Sequence, residues 1–351
     1  MKNKLLTTTA ICTIALSSFA VAETKVTGQL DISYNTLSVD GTGNTSAEGF
    51  GRESQINVSK TGDLNNGMKY AAGFSLEFDG SPAGANANSI SNENLYIDFI
   101  SGNTTLSVGQ DHGLNTDSSA VPRVSIPANS FLASAYTQGS AIGKSASFSY
   151  NHVKEGMGVF VAQKFDAGTA QVRYTPKFVS SGGKNDAIDT STGTEGGAYD
   201  VNFGGNLGVK GLNVNAQYAK AEKALGSTHT PTRDAKGKAL TASYNFGQVT
   251  IGAGRIDREA GDSNAAEVES TDIGITFAAS DKLSFGLNHI DSDVTSFTNT
   301  AATNRDEKIT MVQMGYNLGA VGIAVGYADV ENYQGTAVDR EQGFVRLSTK
   351  F

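Results

Sequence analysis

Apolar and polar residues alternate with a period of two through almost the whole chain, from residue 24 to residue 351. In segment 26–34, Val, Leu, Ile and Tyr share the even positions with one glycine, and polar residues fill the odd positions. The pattern recurs at 69–78, 212–218 and 321–327. A period of two is the signature of a β-strand with one apolar and one polar face. We therefore predict an all-β chain.

Two further features favour a transmembrane barrel over a soluble β-sandwich. Aromatic residues cap the apolar faces at strand ends, where membrane barrels carry their aromatic girdles; they are Tyr34, Phe78, Tyr218, Phe246 and Tyr327. Short turns also alternate with longer polar loops, as expected for periplasmic turns and exterior loops. The turns are at 65–67, 101–103, 209–211, 247–248, 280–282 and 318–320, and the loops at 36–50, 79–93, 111–143, 221–238, 259–268, 292–307 and 332–341. Lipid cannot satisfy a strand edge, so the sheet must close.

The N-terminus reads as a secretory signal peptide. Lys2 and Lys4 precede a short apolar stretch, and the small-x-small sequence 20–22 follows it. We predict cleavage between Ala22 and Glu23, so that residues 1–22 are removed and residues 23–351 form a single barrel domain.

Removal of the signal changes the composition in two ways. The formal net charge of −8 becomes −10 because two lysines are lost, and the only cysteine, Cys12, is lost as well. The acidic balance argues against nucleic acid as a partner. Without a cysteine, the mature chain must obtain its stability from something other than disulfides.

The strand count has one ambiguity. Seventeen segments resemble strands, but a closed barrel with both termini in the periplasm needs an even number. The uncertain region is 144–198. If 169–178 belongs to a long exterior loop, or if 145–165 is one bulged strand, the barrel has 16 strands; 18 is the alternative. We prefer 16, with 169–178 in the loop.

The chain end carries a further signal. Val345, Leu347 and Phe351 fall on one strand face, and Arg346, Ser348 and Lys350 fall on the other. A last strand running to a terminal Phe resembles the C-terminal assembly signal of Gram-negative outer-membrane porins. Segments 26–30 and 105–110 resemble the same family, so the resemblance covers the whole mature chain.

This resemblance implies a 16-stranded barrel that assembles as a homotrimer and passes ions and small hydrophilic solutes. It also implies that the third loop, about 111–143, folds into the pore. Segment 121–127 stands where enterobacterial porins have Pro-Glu-Phe-Gly-Gly. Further implied partners are outer-membrane lipid, lipopolysaccharide and, through the last strand, the barrel-assembly machinery.

Charged side chains at the narrow part of a pore bias ion passage. By loop position, the candidates for the constriction are Asp111, Asp117 and Arg123. By alternation, and for Arg52 by its place at the mouth of the second strand, the pore-wall candidates are Arg52, Lys69, Glu77, Asp98 and Arg173, the last only if its segment is a wall strand.

Weak cation preference follows from the acidic balance. The alternatives are a sugar-specific or other solute-specific channel, a surface adhesin or a barrel enzyme. No enzyme is expected, because the four histidines lie in no catalytic motif and neither Gly-x-Ser-x-Gly nor His-Glu-x-x-His occurs. We expect no cofactor and no metal.

Overall fold

A computed structural model describes residues 24–40, 46–80, 90–110, 112–113, 121–124, 157–176, 197–221, 234–259, 266–296, 306–333 and 337–351. Each strand pairs antiparallel with its sequence neighbour, and β1 pairs with β16, so 16 strands close a barrel as predicted. The strands are β1 (Thr24–Val39), β2 (Ala47–Asp63), β3 (Lys69–Gly80), β4 (Ser91–Ser101), β5 (Thr104–Gly109), β6 (Gly158–Phe165), β7 (Gly168–Thr175), β8 (Ala198–Gly205), β9 (Leu212–Ala221), β10 (Ala235–Asn245), β11 (Val249–Glu259), β12 (Ala266–Ala278), β13 (Leu283–Ser296), β14 (Glu307–Asn317), β15 (Val321–Glu331) and β16 (Arg340–Lys350).

The predicted signal peptide and its cleavage site lie outside the described residues. Within the described ranges, no helix is long and apolar enough to cross a membrane.

The strand connections divide the barrel into two ends. Short turns join β2 to β3, β4 to β5, and each later even-numbered strand to the strand that follows it. They lie at the same end of the barrel as Thr24 and Phe351, and we call this end the turn end. Gly102 (φ 56°) and Gly247 (φ 95°) occupy left-handed turn positions that favour glycine. The opposite end, the loop end, has strands that reach further than predicted. β1 extends to Val39 and β2 begins at Ala47, so the loop expected at 36–50 is shorter.

The prediction that 169–178 belongs to an exterior loop is wrong. Most of 169–178 forms the wall strand β7, which is joined to β6 by the two residues Asp166 and Ala167. Val172 and Tyr174 face outward and Arg173 faces inward, so the segment has the two faces of a wall strand. Segment 145–152 lies outside the described residues, and β5 pairs directly with β6.

The two faces of the wall change character along the strands. Near the turn end, half-exposed apolar side chains such as Ile275 and Leu287 point outward, and polar residues point into the lumen. Near the loop end of β9–β16, the outward residues are charged and several inward residues, such as Ile290 and Ile309, are apolar and buried. We call the outward charged residues the collar: Lys220, Lys236, Lys238, Arg255, Asp257, Glu259, Glu267, Glu269, Asp291, Asp293, Lys308, Asp329, Glu331 and Glu341.

The last strand closes the ring. Phe351 exchanges two backbone hydrogen bonds with Gly28 of β1, of 2.7 and 3.0 Å, and its ring lies over that glycine. A Cβ at Gly28 would overlap the phenyl ring, so a larger residue there would displace the exposed Phe351 side chain. Val345, Leu347 and Phe351 are exposed on the outer face, and Arg346 points inward.

Candidate pore and the segment that enters it

A buried arginine holds the chain where it leaves β5. Arg173 on β7 is 2% exposed, and its guanidinium donates hydrogen bonds to the carbonyl oxygens of Gly109 (3.1 Å) and His112 (2.9 Å). Asp200, the cross-strand partner of Arg173 on β8, is fully buried beside it. The planar guanidinium can serve several acceptors at once, so Arg173 fixes the start of the third loop to the inner wall.

His112 adds a second contact at the same place. Its ring stacks on Tyr96 with the ring centroids 3.6 Å apart, and its Nε2 lies 3.0 Å from a carboxylate oxygen of Asp98. Phe160 of β6 packs against the ring at 5.6 Å between centroids. The inner faces of β4, β6 and β7 therefore hold residues 112–113.

Residues 121–124 lie against a different part of the inner wall. Arg123 forms a 2.5 Å ion pair with Asp272 of β12, and Asn288 of β13 donates a 3.1 Å hydrogen bond to the carbonyl of Pro122. Asp272 is fully buried and Val121 is 5% exposed. Because Asp272 is removed from bulk water and Arg123 is largely so, the ion pair compensates the burial of the carboxylate.

The two attachments are far apart around the ring. Residues 112–113 contact β4, β6 and β7, and residues 121–124 contact β11, β12 and β13, so the two attachments lie on different sides of the 16-stranded ring. In sequence, Gly113 and Val121 are eight residues apart, and eight residues span at most about 27 Å. We call the described residues 112–113 and 121–124 together the crossing segment.

The inner face of β1–β3 is the more open part of the wall. Most of its inward residues are partly exposed, whereas those of β8–β10 are largely buried. Arg346 of β16 lies 2.8 Å from Asp31 and 3.7 Å from Glu53, so one positive charge faces two carboxylates. Glu77 on β3 adds a third inward carboxylate. Among Asp31, Glu53, Glu77 and Arg346, the carboxylates are therefore in excess, whereas Lys25 and Lys69 lie on the same inner face nearer the turn end.

The predicted pore residues divide into three groups. Lys69, Glu77, Asp98 and Arg173 are on the lumen face, with Lys69 at the turn end. Arg52 was misplaced, because it pairs with Ile32 on the outer face, where the strand alternation directs its side chain away from the lumen. Asp111 and Asp117 lie outside the described residues, and Arg123 is bound to the wall by Asp272.

Several residues of this site had not been singled out as candidates. Asp272, Asn288 and Glu53 sit in ordinary strand patterns, and only the folded register brings them to the lumen. Gly274 and Gly286 were also unmarked. Glycines at inward positions of neighbouring strands would have been the available signal, because glycine in a strand permits close approach of another backbone.

Comparison with known proteins identifies relatives of this arrangement. A family model described as Gram-negative porin matches residues 7–341. A comparison with curated proteins gave no match. Among solved structures, OmpF of Salmonella typhi in complex with daunomycin is 13% identical, with 94% of this chain and 98% of that chain covered and a TM-score of 0.68. An anion-selective porin from Comamonas acidovorans is 15% identical, with 94% and 100% covered and a TM-score of 0.64. The outer-membrane channel DcaP of Acinetobacter baumannii is 12% identical, with 94% and 97% covered and a TM-score of 0.64.

Proposed function

The chain belongs to the Gram-negative porin family, and we propose that it is a weakly cation-preferring general-diffusion channel of the outer membrane. Ions and small hydrophilic solutes would pass through the water-filled lumen without chemical change. The closed barrel with its polar inner wall supports this function, because such a wall keeps a hydrated path open through lipid. Export would require removal of residues 1–22 by cleavage between Ala22 and Glu23.

The attachment of residues 112–113 and 121–124 to two separate parts of the inner wall is the observation that carries the proposal. Arg173 holds the first attachment and Asp272 holds the second. The residues fastened at these two places occupy part of the lumen, and the wider passage would lie beside β14–β16 and β1–β4. The crossing segment would therefore be the constriction of the pore.

Cation preference follows from the charges that border this passage. Arg123 is compensated by Asp272, whereas Asp31, Glu53 and Glu77 on the facing wall outnumber Arg346. One charge about 6 Å from the path contributes on the order of 0.7 kcal/mol in water. The similar fold of a porin named as anion-selective indicates that wall charges, rather than the fold, set the sign.

We further propose that the protein acts as a homotrimer. Among the described residues, β3–β8 have no charged side chain directed outward, whereas β9–β16 have the collar. The side with the collar suits the headgroups of lipopolysaccharide, and the apolar β3–β8 side suits contact with another copy. The assembly machinery would recognise the exposed outer face of the last strand, which presents Val345, Leu347 and Phe351.

Planar bilayer recordings of the folded full chain in a salt gradient test the channel. We expect conductance in three equal steps and a reversal potential of cation-selective sign. Glu53→Gln with Glu77→Gln should lower the cation-to-anion permeability ratio about three-fold at low salt. Glu267→Gln is the matched control, because this collar carboxylate faces outward and its loss should leave the ratio unchanged.

A heat-modifiable, SDS-resistant barrel that conducts no ions would refute the channel. A channel whose permeability ratio is the same with and without Glu53 and Glu77 would refute only the proposed source of selectivity.

A further inference from the structure

Three inward glycines on neighbouring strands lie directly beneath residues 121–124. They are Gly252 on β11, Gly274 on β12 and Gly286 on β13, and Gly252 and Gly274 are direct cross-strand partners. A Cβ on Gly252 would lie 2.6 Å from Pro122, and one on Gly274 would lie 2.6 Å from the Pro122 carbonyl. A Cβ on Gly286 would lie 2.8 Å from Cγ2 of Val124. We call these three residues the glycine seat.

At Gly286, a clash with residues 121–124 can be distinguished from a clash with the barrel wall itself. A Cβ on Gly252 would also meet the Ala242 carbonyl oxygen of its own sheet, at 2.7 Å. At Gly286, the three nearest atoms to such a Cβ all belong to Val124. The strand itself would accept a larger residue at 286, so the bound segment accounts for the glycine there.

Polar groups beside the seat fasten the same four residues. Asp272 lies two positions before Gly274 on the inner face of β12 and pairs with Arg123. Asn288 lies two positions after Gly286 on the inner face of β13 and binds the Pro122 carbonyl. Close approach and buried polar contacts thus act on one short stretch, which is the combination that holds a segment in a single position.

We propose that the glycine seat, with Asp272 and Asn288, positions the crossing segment and thereby sets the upper size of solute that passes. This inference rests on the proposed channel function and adds to it the residues that determine the aperture. Gly286 is a positioning residue, because it acts on the pore through Val124.

A valine at Gly286 tests the seat. Gly286→Val should push Val124 toward the lumen, which narrows the passage on the β14–β4 side. We expect lower single-channel conductance and, in liposome-swelling assays, a several-fold slower entry of trisaccharides relative to monosaccharides. Gly204→Val is the matched control, since Gly204 is an inward wall glycine and a Cβ added there would have no neighbouring atom within 4 Å. Equal relative rates for Gly286→Val and wild type would overturn the proposal.

A cysteine pair gives a second, independent measurement. A Cβ on Gly286 would lie 3.5 Å from the Cβ of Val124, within the range of a disulfide. The only native cysteine, Cys12, lies in the predicted signal. We expect Val124→Cys with Gly286→Cys to cross-link on oxidation, as seen by mass spectrometry, with the conductance of wild type. Val124→Cys with Gly204→Cys should remain reduced.

The two kinds of failure are distinguishable. Absence of the 124–286 cross-link in a conducting barrel would refute the seat and leave the channel standing. A cross-linked barrel that passes no ions would refute the channel function while the seat persists as a structural contact.

Discussion

Arg173 concentrates several structural roles in one side chain. It is 2% exposed and donates to the carbonyls of Gly109 and His112, and it lies beside the buried carboxylate of Asp200. Hydrogen bonds to charged groups contribute about 1.5–3 kcal/mol each. Loss of the guanidinium would leave two carbonyls and one buried carboxylate to find other partners.

Substitution of Arg173 should therefore cost more than substitution of its partner. We expect Arg173→Met to lower the free energy of unfolding by about 3–5 kcal/mol, because two carbonyls lose their donor and the buried Asp200 loses its positively charged neighbour. The double variant Arg173→Met, Asp200→Asn should recover part of this loss. Urea titration of the folded protein in lipid vesicles, followed by circular dichroism, gives the values. A double variant no more stable than Arg173→Met would show that the pairing with Asp200 contributes little.

At the scale of the strands, alternation predicted the all-β chain, and the need for an even strand number together with the family resemblance favoured 16 strands over 18. Parity excluded an odd number of strands, but it could not show which of the seventeen strand-like segments lies outside the wall. Segment 169–178 was placed in a loop, although the short turn at Asp166 and Ala167 makes it β7. The inner-wall site was less predictable: Asp272 and Asn288 meet residues 121–124 through a contact between positions about 150 residues apart. No local pattern encodes such a contact.

The change of polarity along β12 marks where the strand leaves the hydrocarbon. Ile275 and Thr271 both face outward on this strand, the first in the apolar band and the second next to the collar. We expect Ile275→Arg to reduce the free energy of unfolding by about 2–4 kcal/mol and Thr271→Arg by about 0–1 kcal/mol. Unfolding titrations in vesicles compare the two variants. Equal losses would place the collar within the hydrocarbon layer, contrary to its charge.

For the whole molecule, the outer wall has two parts that differ in the charge of their outward side chains. The strands β5–β8 are six to eight residues long and have no outward charge among the described residues, whereas β9–β16 are longer and carry the collar. A barrel surrounded by lipid on all sides would meet charged headgroups around its entire circumference. The uncharged outer face of the described part of β3–β8 is therefore the feature expected where a second and third copy cover the wall.

Lipid contact on the two sides can be measured directly in the assembled protein. Single cysteines at Leu106 and Val161 on the side without the collar, and at Leu287 and Val312 on the other, can carry a fluorophore without interference from other thiols in the mature chain. In a single copy these four side chains have matched exposures of 44, 46, 46 and 49%. We expect brominated lipid to quench the labels at 287 and 312 strongly and those at 106 and 161 weakly, because neighbouring copies exclude lipid there. Equal quenching at all four positions in an SDS-resistant oligomer would move the contact to another part of the wall.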